Sequence, residues 1–380
     1  MSNATAEQIR NWWSQFVAQA PRMCRLFKQQ EEWDLPQWME TNLQSIEPAL
    51  MWEFGPAVEC DGNRLVITPE SRKDLRPLVR EILKHAPKLP GWEFYEHRLP
   101  ESFEQAEFTV RGRTGGEIDD VWFQADLGDF NRINLVFVCD RYQYDDADAL
   151  GQMFVAAETL LGEETLDRWI GAIEVARVAD DDLGPLNPLR DLSAVVEARI
   201  AVVRESLPPG PLCEIDLENG PWSLLELKPE EASDYPGQSD LFVAVTRFPE
   251  LIQNATSDIS FDSMRYSRCG ERFCYLKIDG SQGLEETTFE DRGEIEEALN
   301  EQLRPTELGC VIGGGTGLRY SYIELALTDV DQAMVPIRKL LQAGNIPPRT
   351  WLLFHDADLQ SKWLDVWEDA PAPPMPEFGG

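Results

Sequence analysis

The sequence contains little histidine and little positive charge. It has 3 histidines among 380 residues, and 34 lysines and arginines stand against 68 aspartates and glutamates, so the formal net charge at pH 7 is −34. A strongly negative protein repels the phosphates of nucleic acids and the surfaces of anionic membranes. It attracts basic proteins, although many proteins carry such a charge only for solubility. We therefore expect no nucleic-acid or membrane partner, and a basic protein as the partner if there is one.

Long apolar segments are also absent. No run of residues approaches the roughly 20 apolar residues that a membrane-spanning helix needs, and the N-terminal residues lack the apolar core of a secretory signal. The seven cysteines are scattered, and their spacing matches neither a CxxC motif nor a metal site. Cys139 and Cys310 stand among apolar residues, where a reduced thiol behaves as a small hydrophobic group. These features predict a cytoplasmic protein with neither a metal nor a cofactor.

Catalytic motifs are missing as well. Catalysis through histidine would have to use His85, His97 or His355, and the sequence has no Gly-x-Ser-x-Gly elbow and no His-Glu-x-x-His pair. His85 closes a predicted helix, and His97 follows a predicted strand, where we expect an exposed loop. Acidic clusters such as residues 117–120 lack the regular spacing of a calcium loop and are expected to be solvated. The sequence therefore favours a protein that is not an enzyme.

The sequence does contain a run of glycines at residues 313–317, followed directly by an alternating segment with Tyr320 and Tyr322. A phosphate-binding glycine loop must lead into a helix whose N-terminus faces the anion. Here the glycines lead into a predicted strand, and no lysine follows the last of them. We interpret the run as a glycine bulge or turn that allows two backbones to approach closely.

An alternative interpretation makes this turn a ligand site. Arg319 and Tyr320 would supply a charge and a hydroxyl group, and His355 with Asp356 follows an apolar strand, the usual place for functional groups in layered α/β folds. This alternative describes a small-ligand binder or a hydrolase. Its candidate ligand-binding residues are Gly313, Gly314, Gly315, Thr316, Gly317, Arg319, Tyr320, His355 and Asp356.

The length and the apolar periodicity predict an α+β fold with two domains of mixed α/β layers. We expect an N-terminal α+β domain at residues 1–183 and a C-terminal α+β domain at residues 211–370. Residues 184–210 would form a linker and a connecting helix, because residues 180–188 are a polar, proline-bearing break and a helix to Leu207 is predicted after them. Residues 371–380, rich in proline and glycine, are predicted to be a flexible tail.

Local patterns predict individual elements. Predicted strands include residues 108–111, 121–125, 133–139, 241–246, 319–327 and 350–354. Predicted helices include one through Trp169 and Ile173, others at residues 289–303 and 330–341, and one in which Trp363 and Trp367 share a face. The final order of strand, helix and strand predicts a ferredoxin-like βαβ element in the C-terminal domain.

Four segments, at residues 52–56, 86–94, 270–279 and 313–323, together resemble uncharacterised bacterial proteins that carry domains of unknown function. Some of those domains are similar to the ferredoxin-like ribonuclease E inhibitor domain, and others occur among toxin-immunity proteins. The resemblance implies a regulatory or inhibitory binding protein and brings no catalytic residue. It fits the acidic charge, because nucleases are commonly basic. Our leading hypothesis is an acidic factor that binds another protein as an inhibitor, immunity protein or regulator.

Overall fold

The computed structural model describes residues 3–142, 147–177, 184–216, 220–255, 260–281 and 287–375. Residues 180–183 before the predicted linker and residues 376–380 of the predicted tail lie outside these ranges. Within them the chain forms ten α-helices and fourteen β-strands, which confirms the predicted α+β class. The helices are α1 (Asn3–Phe27), α2 (Leu35–Asn42), α3 (Arg76–Lys84), α4 (Phe103–Thr114), α5 (Ala147–Leu161), α6 (Glu163–Trp169), α7 (Leu192–Ser206), α8 (Pro249–Ala255), α9 (Arg292–Leu303) and α10 (Val330–Ala343).

The strands form three sheets. They are β1 (Met51–Pro56), β2 (Asn63–Thr68), β3 (Trp92–Tyr95), β4 (Trp122–Leu127), β5 (Ile133–Val138), β6 (Ile170–Ala176), β7 (Asn187–Pro188), β8 (Ser223–Glu226), β9 (Leu241–Thr246), β10 (Arg272–Asp279), β11 (Gly309–Gly317), β12 (Tyr320–Leu327), β13 (Thr350–Phe354) and β14 (Trp363–Asp365). Among the described residues, no helix combines the length and the apolarity that crossing a bilayer requires.

The chain divides into two compact units. The first comprises residues 1–125 and 135–194, and the second comprises residues 126–134 and 195–380. The domain boundaries that the sequence suggests at residues 183 and 210 stay predictions.

In the first unit, α1 packs on a small sheet through aromatic side chains. The sheet has the order β1-β2-β3, in which β1 is antiparallel and β3 is parallel to β2. Trp13 meets Phe94 edge-on at 4.8 Å between ring centroids, and Phe16 meets Trp92 in the same way at 4.9 Å. Edge-to-face pairs add to the free energy gained from burying the rings. These contacts hold β3, and with it the segment that follows β3, in one position.

A second sheet has the order β6-β5-β4-β7. Residues 170–173 form the start of β6, whereas the sequence predicts a helix through Trp169 and Ile173. The helix α6 ends at Trp169, because Ile170 adopts an extended backbone with φ −81° and ψ 132°. β-branched residues favour a strand, and that preference decides the conformation of this segment.

Residues 108–111, predicted to form a strand, lie in α4 instead. A capping box begins this helix, since the Gln105 amide donates to Ser102 Oγ and the Ser102 amide donates to Gln105 Oε1. Gly115, with φ +74°, ends it in the left-handed conformation. The aromatic residue that suggested a strand, Phe108, is 82% exposed and contributes nothing to a core.

In the second unit, seven strands form one antiparallel sheet in the order β14-β13-β10-β12-β11-β9-β8. The helices α9 and α10 cover one face and bury aliphatic side chains such as Leu299 and Ile337 against it. The other face carries a second apolar cluster that includes Tyr322, Trp351 and Leu353. Along the chain, β10, α9, β11, β12, α10 and β13 follow one another, and β10 lies between β12 and β13 in the sheet.

Neither of the two C-terminal tryptophans, Trp363 and Trp367, lies in a helix. Trp363 belongs to β14, which pairs with β13 through Leu352 opposite Leu364. Trp367 follows β14 and donates its indole N–H to the carbonyl of Ile346 at 3.1 Å. The spacing of four between the two tryptophans therefore does not reflect a helical face here.

Candidate functional site

The glycine run lies inside a central strand. Residues 313–317 belong to β11, which is flanked by β12 and β9, and the turn consists of the two residues after Gly317. A register shift between Val311 and Gly313 forms the expected irregularity. A Cβ atom on Gly314 would lie 2.3 Å from Glu296 Oε1, and one on Gly315 would lie 2.4 Å from Leu241 Cδ1. The glycines thus admit close neighbours on both faces of the sheet.

Gly317 leaves room for a buried carboxylate. Asp240, fully buried, accepts the backbone N–H groups of Arg319 at 2.8 Å and Tyr320 at 2.9 Å, and the hydroxyl of Tyr322 also donates to it. A Cβ atom on Gly317 would lie 2.3 Å from Asp240 Oδ2. Asp240 therefore satisfies the amides of the turn that the glycines precede.

The side chains of Arg319 and Tyr320 are bound by carboxylates of the protein. Arg319 Nη2 lies 2.9 Å from Asp279 Oδ2, and the Tyr320 hydroxyl donates to Asp234 Oδ1 at 2.6 Å. Arg349 contacts both of these carboxylates, at 2.8 Å from Asp234 and 3.0 Å from Asp279. Burial opposes ionisation of Asp279, but the hydrogen bonds from Arg319 and Ser281 together with the charge of Arg319 outweigh it, and the pKa of Asp279 is lowered. The cluster forms a closed network of ion pairs.

Next to this cluster lies a buried lysine. Lys277 is fully buried, donates to the carbonyl oxygens of Tyr235 and Gly237, and lies 4.1 Å from the ring centroid of Tyr320. Burial lowers its pKa to about 8, although the nearby Asp240 carboxylate favours the charged form. Its ammonium group is therefore already bonded to two backbone carbonyl oxygens, and we assign Lys277 a structural role.

His355 and Asp356 are buried and bonded at the other end of β13. His355 donates through Nε2 to Glu324 at 2.6 Å, and Asp356 accepts both the amide and the hydroxyl of Ser263 at 2.6 Å. Burial raises the pKa of Asp356 to about 6, against the opposing charge of Arg272. Tyr320 pairs with Asp279 and Thr350 pairs with Ile278, so both lie at the C-terminal end of β10, whereas His355 follows the opposite end of β13. Five residues of extended strand, about 17 Å, therefore separate His355 from the Arg319 cluster.

The structure thus divides the predicted ligand-binding residues into two groups. Arg319 and Tyr320 adjoin the glycine run, with Thr316 bonded to Arg292 at 3.0 Å, whereas His355 and Asp356 stand apart. Each of these five polar side chains has a partner from the protein itself. The residues of the alternative hypothesis are therefore not gathered around one open space, and their role in binding a ligand stays a prediction.

A surface that the sequence did not single out lies on α9. This helix buries Ile295, Leu299 and Leu303. Its outer side and the two residues before it carry five exposed carboxylates, which we name the acidic ridge: Glu290, Asp291, Glu294, Glu297 and Glu301.

The arginines of this segment do not neutralise the acidic ridge. Arg292 lies 2.7 Å from the half-buried Glu296, and Arg304 donates to the carbonyl oxygens of Cys213 and Ile215 at 2.9 and 3.1 Å. In the part of the chain that the structure describes, no lysine, arginine or histidine forms an ion pair with the five carboxylates. The spacing of Glu294, Glu297 and Glu301 at three and four residues is the signal by which the sequence could have revealed this face.

The first unit contains an open cleft of about 370 Å³. Its lining includes His97, which the sequence predicts to be an exposed loop residue but which is only 7% exposed. The apolar part of the wall comes from Leu83, Phe94 and Leu99. His97 is therefore a candidate binding residue. The sequence did not indicate this, because its polar neighbours Glu96 and Arg98 suggested an exposed loop.

Comparisons of the chain with protein-family models, with curated proteins and with solved structures give no match. The resemblance to ribonuclease E inhibitor and toxin-immunity domains therefore has no support from them. Function has to be argued from the geometry and the charges of this chain.

Proposed function

We propose that the protein is a non-catalytic, acidic protein-binding factor, of the inhibitor, immunity or regulatory kind, and that its acidic ridge receives a basic partner. The observation that carries this proposal is the row of exposed carboxylates on α9 without ion-pair partners among the described residues. Charges that lie close together on a rigid helix attract an oppositely charged surface and accelerate its encounter. The net charge of −34 adds to this attraction over longer distances.

The pairing of the predicted ligand residues supports a binding role over a catalytic one. A catalytic or ligand-binding group needs a proton, a lone pair or a charge that is not already occupied. Arg319, Tyr320, His355 and Asp356 are each bonded to another group of the second unit. These bonds, and those that Asp240 accepts from the turn after the glycines, account for these residues as parts of the fold.

The proposal includes a ferredoxin-like core in the second unit. The succession β10-α9-β11-β12-α10-β13 and the sheet order β13-β10-β12-β11 support it, since a split βαβ unit places one strand between the two that its helix joins.

The proposal also includes a reducing, cytoplasmic location, which the seven free cysteine thiols support.

The test compares two variants that lose the same charge. The first, Glu294→Gln, Glu297→Gln and Glu301→Gln, neutralises the acidic ridge and keeps the helix, because glutamine and glutamate have similar helix propensities. The second, Glu226→Gln, Glu230→Gln and Glu231→Gln, removes three exposed carboxylates elsewhere in the second unit. Both variants and the original protein are used to capture partners from a native extract at low and at high salt, and the captured protein is then purified and titrated directly.

We expect a basic protein that binds at low salt and is released at high salt, because salt screens exposed charges. The ridge variant should bind it about tenfold more weakly in direct titration, mainly through slower association, and the control variant should bind it almost as the original does. Equal binding by both variants, or no partner at low salt, would contradict the proposal.

A further inference from the structure

The cleft in the first unit has the composition of a small-ligand site. Its volume of about 370 Å³ falls in the range of pockets that hold small molecules. Leu83, Phe94 and Leu99 supply apolar surface, and Arg80, Glu96 and Glu164 supply charge. All three charges are paired, since Arg80 lies 3.2 Å from Glu96 and Glu164 lies 3.0 Å from Arg168. The other polar side chains of the lining are Tyr95, whose hydroxyl donates to Glu93 at 2.8 Å, and His97.

His97 is held in place from both sides. The carbonyl of Glu96, before it, accepts a hydrogen bond from Arg76 Nη1 at 2.7 Å. The amide of Arg98, after it, donates to Glu163 Oε2 at 3.0 Å, and the carbonyl of Arg98 accepts from the Glu163 amide at 3.0 Å. Arg76 and Glu163 are themselves buried and lie 2.7 Å apart. The backbone on either side of His97 is thus fixed by a buried ion pair.

The imidazole itself has no hydrogen-bond partner among the described residues. It is 7% exposed, and the part that remains accessible lines the cleft. Folded proteins rarely leave a polar group without a partner, and the cleft is where water or a ligand can reach the imidazole. A neutral imidazole offers one N–H donor and one acceptor, and either can meet a molecule in the cleft.

The charges around His97 favour an anionic ligand group. Burial, followed by the positive charge of Arg76, lowers the pKa of His97 to about 3, so the imidazole is neutral at physiological pH. Arg168 and Arg80 act on it in the same direction, and Glu163 acts in the opposite one. Among the charges that act most strongly on the imidazole, three arginines thus stand against one glutamate, and the two carboxylates of the lining, Glu96 and Glu164, are each paired with an arginine. A carboxylate placed there gains both from this balance of charges and from a charge-assisted hydrogen bond.

We propose that this cleft binds a small apolar monocarboxylate whose carboxylate accepts a hydrogen bond from the imidazole N–H of His97 and whose aromatic or branched body packs against Phe94, Leu83 and Leu99. Phe94 offers a ring edge or face to an aromatic ligand. The site lies entirely in the first unit, and it is independent of the acidic ridge.

Three molecules of nearly equal shape test the charge preference: phenylacetate, phenylacetamide and benzylamine. With only 3 histidines in the chain, ring-labelled histidine gives three sets of imidazole signals, which the single variants His97→Leu and His85→Leu assign. We expect phenylacetate to shift the His97 signals in a saturable manner with a Kd below about 1 mM, and to leave those of His85 unchanged. Phenylacetamide should bind about tenfold more weakly, and benzylamine should not compete.

The matched variants give the second arm, measured by calorimetric titration of phenylacetate. His97→Leu should weaken binding about tenfold or more, while His85→Leu, at the end of α3 and outside the cleft lining, should bind as the original protein does. Unchanged affinity in His97→Leu would overturn the proposal. So would tighter binding of benzylamine, or the absence of any His97 shift with phenylacetate or isovalerate at about 10 mM, ten times the upper limit on Kd.

Discussion

His97 in the first unit and His355 in the second are buried to almost the same degree, 7% and 6% exposed, but their surroundings differ. His355 donates to Glu324 at 2.6 Å, and Gln238 donates to the other oxygen of the same carboxylate at 2.6 Å. Its ring also lies 5.0 Å from that of Tyr275. His97 has no such partner in the described part of the chain and lines an open cleft.

The comparison separates two reasons for burying a polar side chain. A buried polar group whose hydrogen bonds are all made favours one arrangement of the core. When its partner is removed, the group that remains is buried without a hydrogen bond, and the folded state is destabilised. A polar group that has no partner from the protein and lines an open cleft is left to water until a ligand binds it. On this basis His355 belongs to the architecture of the second unit, and His97 belongs to a site.

The variant His355→Leu is expected to have the largest effect. It leaves the carboxylate of Glu324, which is 1% exposed, without its imidazole partner. Depriving a buried carboxylate of a hydrogen-bond partner costs about 1–3 kcal/mol or more in the free energy of unfolding. Urea denaturation at pH 7 measures this loss.

The double variant His355→Leu and Glu324→Leu provides the control. It buries no charge at this position, so it should be more stable than the single variant despite carrying one more change. A single variant within about 1 kcal/mol of the original protein would show that Glu324 does not depend on the imidazole, and the contrast with His97 would disappear.

The pH dependence of the free energy of unfolding should show that His97 is neutral in the folded protein. Its folded-state pKa is about 3, against 6.5 as the ordinary value. The unfolded chain therefore binds a proton below pH 6.5 that the folded chain does not bind, and stability falls as the pH falls through this window. Between pH 6.5 and 4.5 the contribution of His97 amounts to about 2–3 kcal/mol.

Unfolding free energies of the original protein and of His97→Leu at several pH values measure this contribution. The carboxylates titrate in both proteins, so the difference between the two curves isolates the imidazole. We expect the variant to lose less stability on acidification. Parallel curves would mean that His97 takes up its proton equally in the folded and unfolded states, and the preference of the cleft for an anion would have no support.

The alternating apolar pattern was enough to predict several strands of the second unit. Residues 241–246 and 350–354 form β9 and β13 as predicted, and the predicted helix at residues 289–303 begins three residues later, at Arg292. In these segments the side chains themselves carry the information, because one face is buried and the other is not. Such patterns are local and can be read without the rest of the fold.

The strand β11 could not be predicted in this way. Five of its nine residues are glycines, which have no side chain to show a pattern and a poor intrinsic preference for strands. Its conformation is fixed by β12, which follows it after a two-residue turn, and by β9, whose contacts with it join residues far apart in sequence. The burial of His97 has a similar origin, since Glu163 lies 65 residues beyond the Arg98 amide that it binds.

The smallest expected effect is that of His97→Leu on stability, and it gives the most direct contrast between His97 and His355. At pH 7 and without added ligand, His97→Leu should change the free energy of unfolding by less than about 1 kcal/mol, and an increase in stability is the favoured direction. The physical reason is that leucine removes an unpartnered polar group from a wall that already contains Leu83, Phe94 and Leu99. Urea denaturation beside His355→Leu measures both changes under the same conditions. A loss above about 2 kcal/mol in His97→Leu would show that the imidazole is bonded within the fold, and the cleft would then lack the group that we assign to a ligand.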